Sequence, residues 1–126
     1  MAIPSGSGTE VLRRGVIATQ SSTATSFKFD GTNPSTGTSS YTVPANHIIT
    51  IISIIICEAA GQAETVDLYM NDGASQIHFT SALALAGKET FVWNDKFALI
   101  GGDKLAIVTS AADIDIYYSY LDQDWS

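Results

Sequence analysis

The sequence predicts an all-β chain: a β-sandwich, jelly-roll-like in its strand spacing, preceded by an extended N-terminal arm. Three observations lead there. From residue 43 onward, short runs rich in Val, Ile, Thr and aromatic residues are cut by turn signals roughly every eight to twelve positions, the spacing of sandwiches and jelly rolls. No stretch sustains the i, i+3, i+4 apolar spacing of an amphipathic helix. The final run, 113–121, sets Ile114, Ile116, Tyr118 and Tyr120 against Asp113, Asp115, Tyr117 and Ser119, the period of a strand with one face on a core.

Residues 10–18 make a first strand, with Val11, Leu12, Val16 and Ile17 around Gly15. Residues 21–42 are dominated by Ser, Thr and Gly, with only Phe27, Phe29 and Tyr41 as apolar anchors. Such a segment buries too little to offset a backbone ordering cost of roughly 1–2 kcal/mol per residue. Residues 1–42 are therefore expected to be an extended arm, held either on a neighbouring surface or as a loop stabilised by its own domain, and residues 43–126 the sandwich domain. Ile3, Pro4, Val11, Leu12, Arg13 and Arg14 are the arm's candidate contact residues.

The next element holds seven isoleucines between residues 48 and 56. Its even positions from 48 to 56 read Ile, Thr, Ile, Ile, Ile, and its odd positions from 49 to 57 read Ile, Ile, Ser, Ile, Cys, so neither face is polar. A strand with one wet face should alternate. The expectation is that one face packs inside the sandwich and a second copy of the chain covers the other, the alternative being that the arm or a loop of the same chain folds back over it. Ile49, Ile51 and Ile55 are the candidate interface, each worth about 1.5–3 kcal/mol when fully buried. Symmetric closure of that interface points to a homo-oligomer, a trimer as the first choice.

Residues 65–70 align Val66, Leu68 and Met70 against Thr65, Asp67 and Tyr69, and Asn71-Asp72-Gly73 then supplies a turn. In 76–80, Ile77 and Phe79 point inward and His78 outward; Ala86-Gly87-Lys88 breaks the chain. Phe91 and Trp93 share a face in 89–94. After 97–100 comes Gly101-Gly102-Asp103, followed by 104–109 with Leu105 and Ile107 aligned.

Charge narrows the partners. Thirteen acidic against six basic residues give a net charge of −7, which disfavours direct nucleic-acid binding because a phosphate-binding face needs clustered Lys and Arg. Arg13 and Arg14 are the only adjacent pair, and a strand edge or a carboxylate partner accounts for them. The start carries no basic stretch followed by an apolar one, which predicts a product made and kept in a cytoplasm. The isoleucine run, interrupted by Thr50 and Ser53, is far short of the ~20 apolar residues of a spanning helix, so no membrane partner is expected. Cys57, the single cysteine, reads as a small buried hydrophobe.

Catalytic and metal chemistry find little support. His47 and His78 lack a ligand at zinc-site spacing. Asp113/Asp115 and Asp122/Asp124 place carboxylates two apart, which reads as a solvated strand face in the absence of calcium-loop spacing. There is no Gly-x-Ser-x-Gly elbow and no phosphate loop. The chain is expected to be non-enzymatic and to hold no cofactor. Tyr69, Tyr117 and Trp125, with Asn71 and nearby aspartates, make a candidate sugar-binding face; the same aromatics also serve as interface anchors.

The opening Ile3-Pro4-Ser5-Gly6-Ser7-Gly8-Thr9-Glu10-Val11-Leu12-Arg13-Arg14 resembles that of small virion proteins from tailed phages of marine bacteria and cyanobacteria. Tyr41-Thr42-Val43-Pro44-Ala45, Leu85-Ala86-Gly87-Lys88-Glu89-Thr90 and Ile100-Gly101-Gly102-Asp103-Lys104-Leu105 are similar to β-sandwich domains of phage head and tail proteins. The resemblance implies a multi-copy, non-enzymatic virion subunit. A capsid decoration or cement protein bridging major capsid protein subunits on the outer shell is the first expectation. A tail or baseplate adhesin binding host glycan is the alternative.

Overall fold

The computed structural model describes residues 9–111 and 113–125. In chain order the strands are β1 (Thr9–Gln20), β2 (Thr25–Ser26), β3 (His47–Glu58), β4 (Glu64–Asn71), β5 (Gln76–Leu85), β6 (Thr90–Trp93), β7 (Phe97–Ile100), β8 (Lys104–Thr109) and β9 (Ile114–Asp124). They form two sheets of antiparallel pairs. One runs β1-β9-β3-β6, with β7 also on β3; the other runs β2-β8-β4-β5. β6 pairs with residues 54–57 of β3 and β7 with residues 48–51, so the two are halves of one strand broken at 94–96. Counting them as one strand position leaves two four-position sheets in the jelly-roll order, a double Greek key. The all-β sandwich expected from the sequence is the observed fold.

The isoleucine strand resolves its own puzzle. Its pairing with β9 shifts register between Ile51 and Ser53, a β-bulge at Ile52. The extra residue flips the side-chain parity: Ile49 and Ile51 point inward before it, Ile54 and Ile56 after it, and all four are 0% exposed. Odd and even isoleucines thus share one buried face. The break between β6 and β7 falls beside the same bulge, where the bent strand cannot keep an unbroken neighbour. The expected interface role of Ile49 and Ile51 is corrected accordingly, since both are enclosed within one copy.

The expected boundary near residue 42 is not a structural break either. β1 pairs along β9 from Thr9↔Asp124 to Gln20↔Ile114. Phe27 and Phe29 are fully buried among Tyr118, Tyr120 and Tyr41, in edge-to-face contacts with centroids 4.7–6.0 Å apart. The Tyr118 hydroxyl donates to Lys28 O (2.7 Å) and accepts from Lys28 N (3.1 Å), and Gly31 N donates to the Tyr120 hydroxyl (3.0 Å). A segment too polar to order itself is ordered by tyrosines of its own chain. Of the expected arm contacts, Ile3 and Pro4 lie outside the described residues.

The remaining elements close the sandwich. Val66 and Leu68 of β4, Leu105 and Ile107 of β8, and Ile114 and Ile116 of β9 are all core residues. At the Asn71-Asp72-Gly73 turn, Gly73 adopts φ +96° and donates to Asn71 Oδ1 (2.7 Å), while Asp72 Oδ1 accepts from Ala74 N and Ser75 N. Among the described residues no helix is long and apolar enough to cross a membrane.

Candidate functional site

Jelly-roll closure leaves each sheet an outer face, and the two differ. On the β2-β8-β4-β5 sheet the outward positions include Asp67, Tyr69, His78 and Lys104, a mixed polar surface. On the β1-β9-β3-β6 sheet the pairings Val16↔Tyr117, Tyr117↔Ile55 and Ile55↔Val92 line up one side chain from each strand. Each is flanked in sequence by residues that point into the core, so all four point outward. Tyr117 is 41%, Ile55 36% and Val92 44% exposed. An apolar row therefore crosses the whole sheet at right angles to its strands.

The row does not stand alone. Leu12, 69% exposed, pairs with Leu121, and Ile100 pairs with Ile48 on the same outer face. Among the described residues, five of the seven exposed large hydrophobics, Leu12, Ile55, Val92, Ile100 and Tyr117, lie on this one face. Tyr117 stands between two shallow hollows: one includes Val16, Ala18, Ile55, Cys57 and Asp115, the other Leu12, Arg14, Ile52 and Ser119. Two charges flank the row on opposite sides. Arg14 is two residues before Val16, across from Ser119; Asp115 is two residues before Tyr117, across from Cys57.

Of the residues singled out in the sequence, Ile55 and Tyr117 meet here, together with Leu12 and Arg14. Cys57 is on this face, half-buried, rather than in the core as expected. Val11 is exposed near the sheet's end. Tyr69 sits on the opposite sheet, its ring 5.5 Å from that of His78. Trp125 is half-buried just beyond β9, where its backbone N–H donates to Asn46 O (3.1 Å). Tyr69 and Tyr117 therefore lie on opposite sheets, and the composite sugar platform expected of Tyr69, Tyr117 and Trp125 together is not formed. Val16, Val92 and Ile52 were missed by sequence reasoning. Val92 had a signal in lying between Phe91 and Trp93, two partly buried residues packed against the core.

Two acidic constellations serve the fold. Asp122, expected on a solvated face, is buried at the end of β9, its Oδ1 2.7 Å from His47 Nδ1 and its Oδ2 3.8 Å from Arg13 Nε. Glu58, at the end of β3, is buried and accepts four backbone N–H groups: Gly61 (2.6 Å), Gln62 (3.1 Å) and Lys88 (3.1 Å) on Oε1, and Ala60 (3.0 Å) on Oε2. Burial works to raise its pKa, but those four donors outweigh it and hold the carboxyl down at about 2. Glu64 is also buried, and desolvation, reinforced by the nearby Glu58, pushes its pKa up. Among the described residues no group of three or more His, Cys, Asp or Glu side chains is placed to hold a metal ion.

No family model matches the sequence, and no curated protein matches it. Among solved structures, a chain from the structure of infectious bursal disease virus Gx strain is similar at a TM-score of 0.43 and 12% identity, the match covering 98% of this chain. That match takes in 32% of the other chain, so the present chain spans about a third of its length.

Proposed function

We propose that the protein is a structural subunit of a virus particle that works by adhesion: a capsid decoration or cement protein, present in many copies on the outer shell, where it bridges major capsid protein subunits. The observation that carries the adhesive role is the apolar row from Val16 to Val92, which spans every strand position of one sheet and faces outward. Jelly rolls build capsid proteins, lectins and cupins alike, so the surface and not the fold must decide. Here the surface offers a broad apolar patch. The virion setting is supported by the phage-like segments at 3–14, 41–45, 85–90 and 100–105. An acidic chain also suits a component kept away from the genome. Synthesis in the host cytoplasm precedes attachment to the shell.

In this role the subunit performs no covalent chemistry and needs no cofactor. Each copy buries interface area against its neighbours and so opposes the outward pressure of packaged DNA. The alternative, a tail adhesin binding glycan, loses support from the placement of Tyr69 and Tyr117 on opposite sheets. The test is localisation: particles are purified, labelled with antibody against this chain, and its copies counted relative to the major capsid protein. Label over the head with comparable copy numbers is expected. Label confined to tails, or none on particles, refutes the reading.

A further inference from the structure

We propose that the outer face of the β1-β9-β3-β6 sheet is a self-complementary surface on which a second copy of this chain packs face to face, the twofold axis running along the Val16–Tyr117–Ile55–Val92 row. The pairing rests on the subunit reading for its setting and deepens it by naming the partner. Three observations select a second copy as occupant.

The first is charge placement. A twofold axis lying across the strands exchanges the two sides of the row while keeping each strand position over its counterpart. Arg14 lies on one side, on β1; Asp115 lies on the other, on the adjacent β9. The rotation brings Arg14 of each copy over the Ala18 end of β1 in the other, one strand spacing of about 4.8 Å from Asp115 on the adjacent β9 and within reach of the long arginine side chain, giving two symmetry-related ion pairs. Both side chains are exposed, and Arg14 makes no ion pair among the described residues. The second is shape. Tyr117 forms a ridge with a hollow on either side, so each ring slides off its twin into the neighbouring hollow in the offset contact that aromatic pairs prefer. The third is area. Four strand positions at about 4.8 Å and ten residues at about 3.3 Å give a footprint on the order of 600 Å² per copy. That is roughly a tenth of the 6223 Å² molecular surface, the share that standard protein interfaces occupy.

The experiment is sedimentation of the full chain and its variants over a concentration series, with circular dichroism to confirm the fold of each. Wild type is expected as a dimer. Ile55→Asp should weaken it about ten-fold or more, and so should Arg14→Glu and Asp115→Arg taken singly, because each sets like charges opposite one another. An equimolar mixture of the two single-charge variants should form the mixed dimer, since the carboxylate introduced at position 14 of one chain then faces the guanidinium introduced at position 115 of the other. Should Asp115→Arg fail to fold, Tyr117→Ser, which removes the ridge without adding charge, replaces it and should also yield monomer. A monomeric wild type, a trimer, or a dimer indifferent to these changes overturns the proposal. A confirmed dimer absent from particles leaves the pairing standing and defeats the virion reading; a monomer found on particles does the reverse.

Discussion

The Tyr118 hydroxyl and the main chain of Lys28 exchange two hydrogen bonds, one donated to the carbonyl at 2.7 Å and one accepted from the amide at 3.1 Å. Through this pair, β9 fastens the polar segment that follows β2. Tyr118→Phe keeps the ring and its contact with Phe27 but leaves both Lys28 backbone groups without this partner. Unsatisfied buried polar groups cost about 1–3 kcal/mol. The variant should fold, melt at lower temperature, and lose hydrogen-exchange protection at the Lys28 amide before the β3 amides. Equal protection at Lys28 in both proteins would show that the segment is held by its phenylalanines alone.

Gly15 controls the same ring from β1. A Cβ placed there would lie 2.3 Å from the Tyr118 ring, which is itself fully buried and has nowhere to retreat. Gly15→Ala should therefore destabilise by more than Tyr118→Phe, in the overpacking range of about 1–3 kcal/mol or above. The double variant Gly15→Ala with Tyr118→Ala should recover part of the loss caused by the added methyl. Thermal melts of the four proteins measure this coupling, and strict additivity would mean that the methyl is accommodated elsewhere.

Much of this architecture is legible in the residues. The alternation of Ile114, Ile116, Tyr118 and Tyr120 marks β9, and Val66/Leu68 and Leu105/Ile107 mark the inner faces of β4 and β8. The bulge in β3 is hidden, because one inserted residue makes a single-faced strand look apolar on both sides. Its trace is the change of parity from Ile49/Ile51 to Ile54/Ile56. The polar segment misleads for a different reason: its order comes from Tyr118 and Tyr120, some ninety residues away, and no local composition reports a partner that distant. The outward row is half visible. Ile55 and Tyr117 stand out separately in the sequence, but only strand order places them side by side between Val16 and Val92.

The bulge makes neighbouring isoleucines energetically unequal. Ile51→Ala opens a cavity in the core and should cost about 2–5 kcal/mol. Ile55→Ala, on the outer face, should change the stability of the isolated copy by about 0.5 kcal/mol or less. Denaturant melts at low protein concentration, where association does not contribute, read the difference. Similar losses at the two sites would contradict the parity switch at Ile52.

Glu58 ties its own loop to the Lys88 turn, and its protonation should loosen both. The folded-state pKa of about 2 lies below the ordinary value of 4.5, so the folded protein binds fewer protons than the unfolded chain between those values. The stabilisation is complete above about pH 4.5 and disappears as pH falls towards 2. Glu58→Gln should lower the melting temperature at pH 7 and narrow its deficit against wild type as acid is added. A deficit that stays constant from pH 7 to pH 2 would assign the effect to packing rather than charge.

Glu64 carries the opposite sign. Burial and the neighbouring Glu58 raise its pKa above 4.5, so the folded state holds this proton more tightly than the unfolded chain does. The charged form is therefore a penalty that is absent well below pH 4.5 and grows as pH rises through the raised value. Glu64→Gln retains an oxygen for the Ala111 N–H, which Glu64 Oε1 accepts at 3.1 Å, and places a neutral amide where Oε2 has no partner. The variant should match wild type in acid and exceed it at neutral pH, by about 4 °C in melting temperature for each kcal/mol of relieved penalty. A neutral-pH loss instead would mean that the carboxylate is stabilised by a group beyond its Ala111 contact. Paired melts at pH 4 and pH 8 decide between these outcomes.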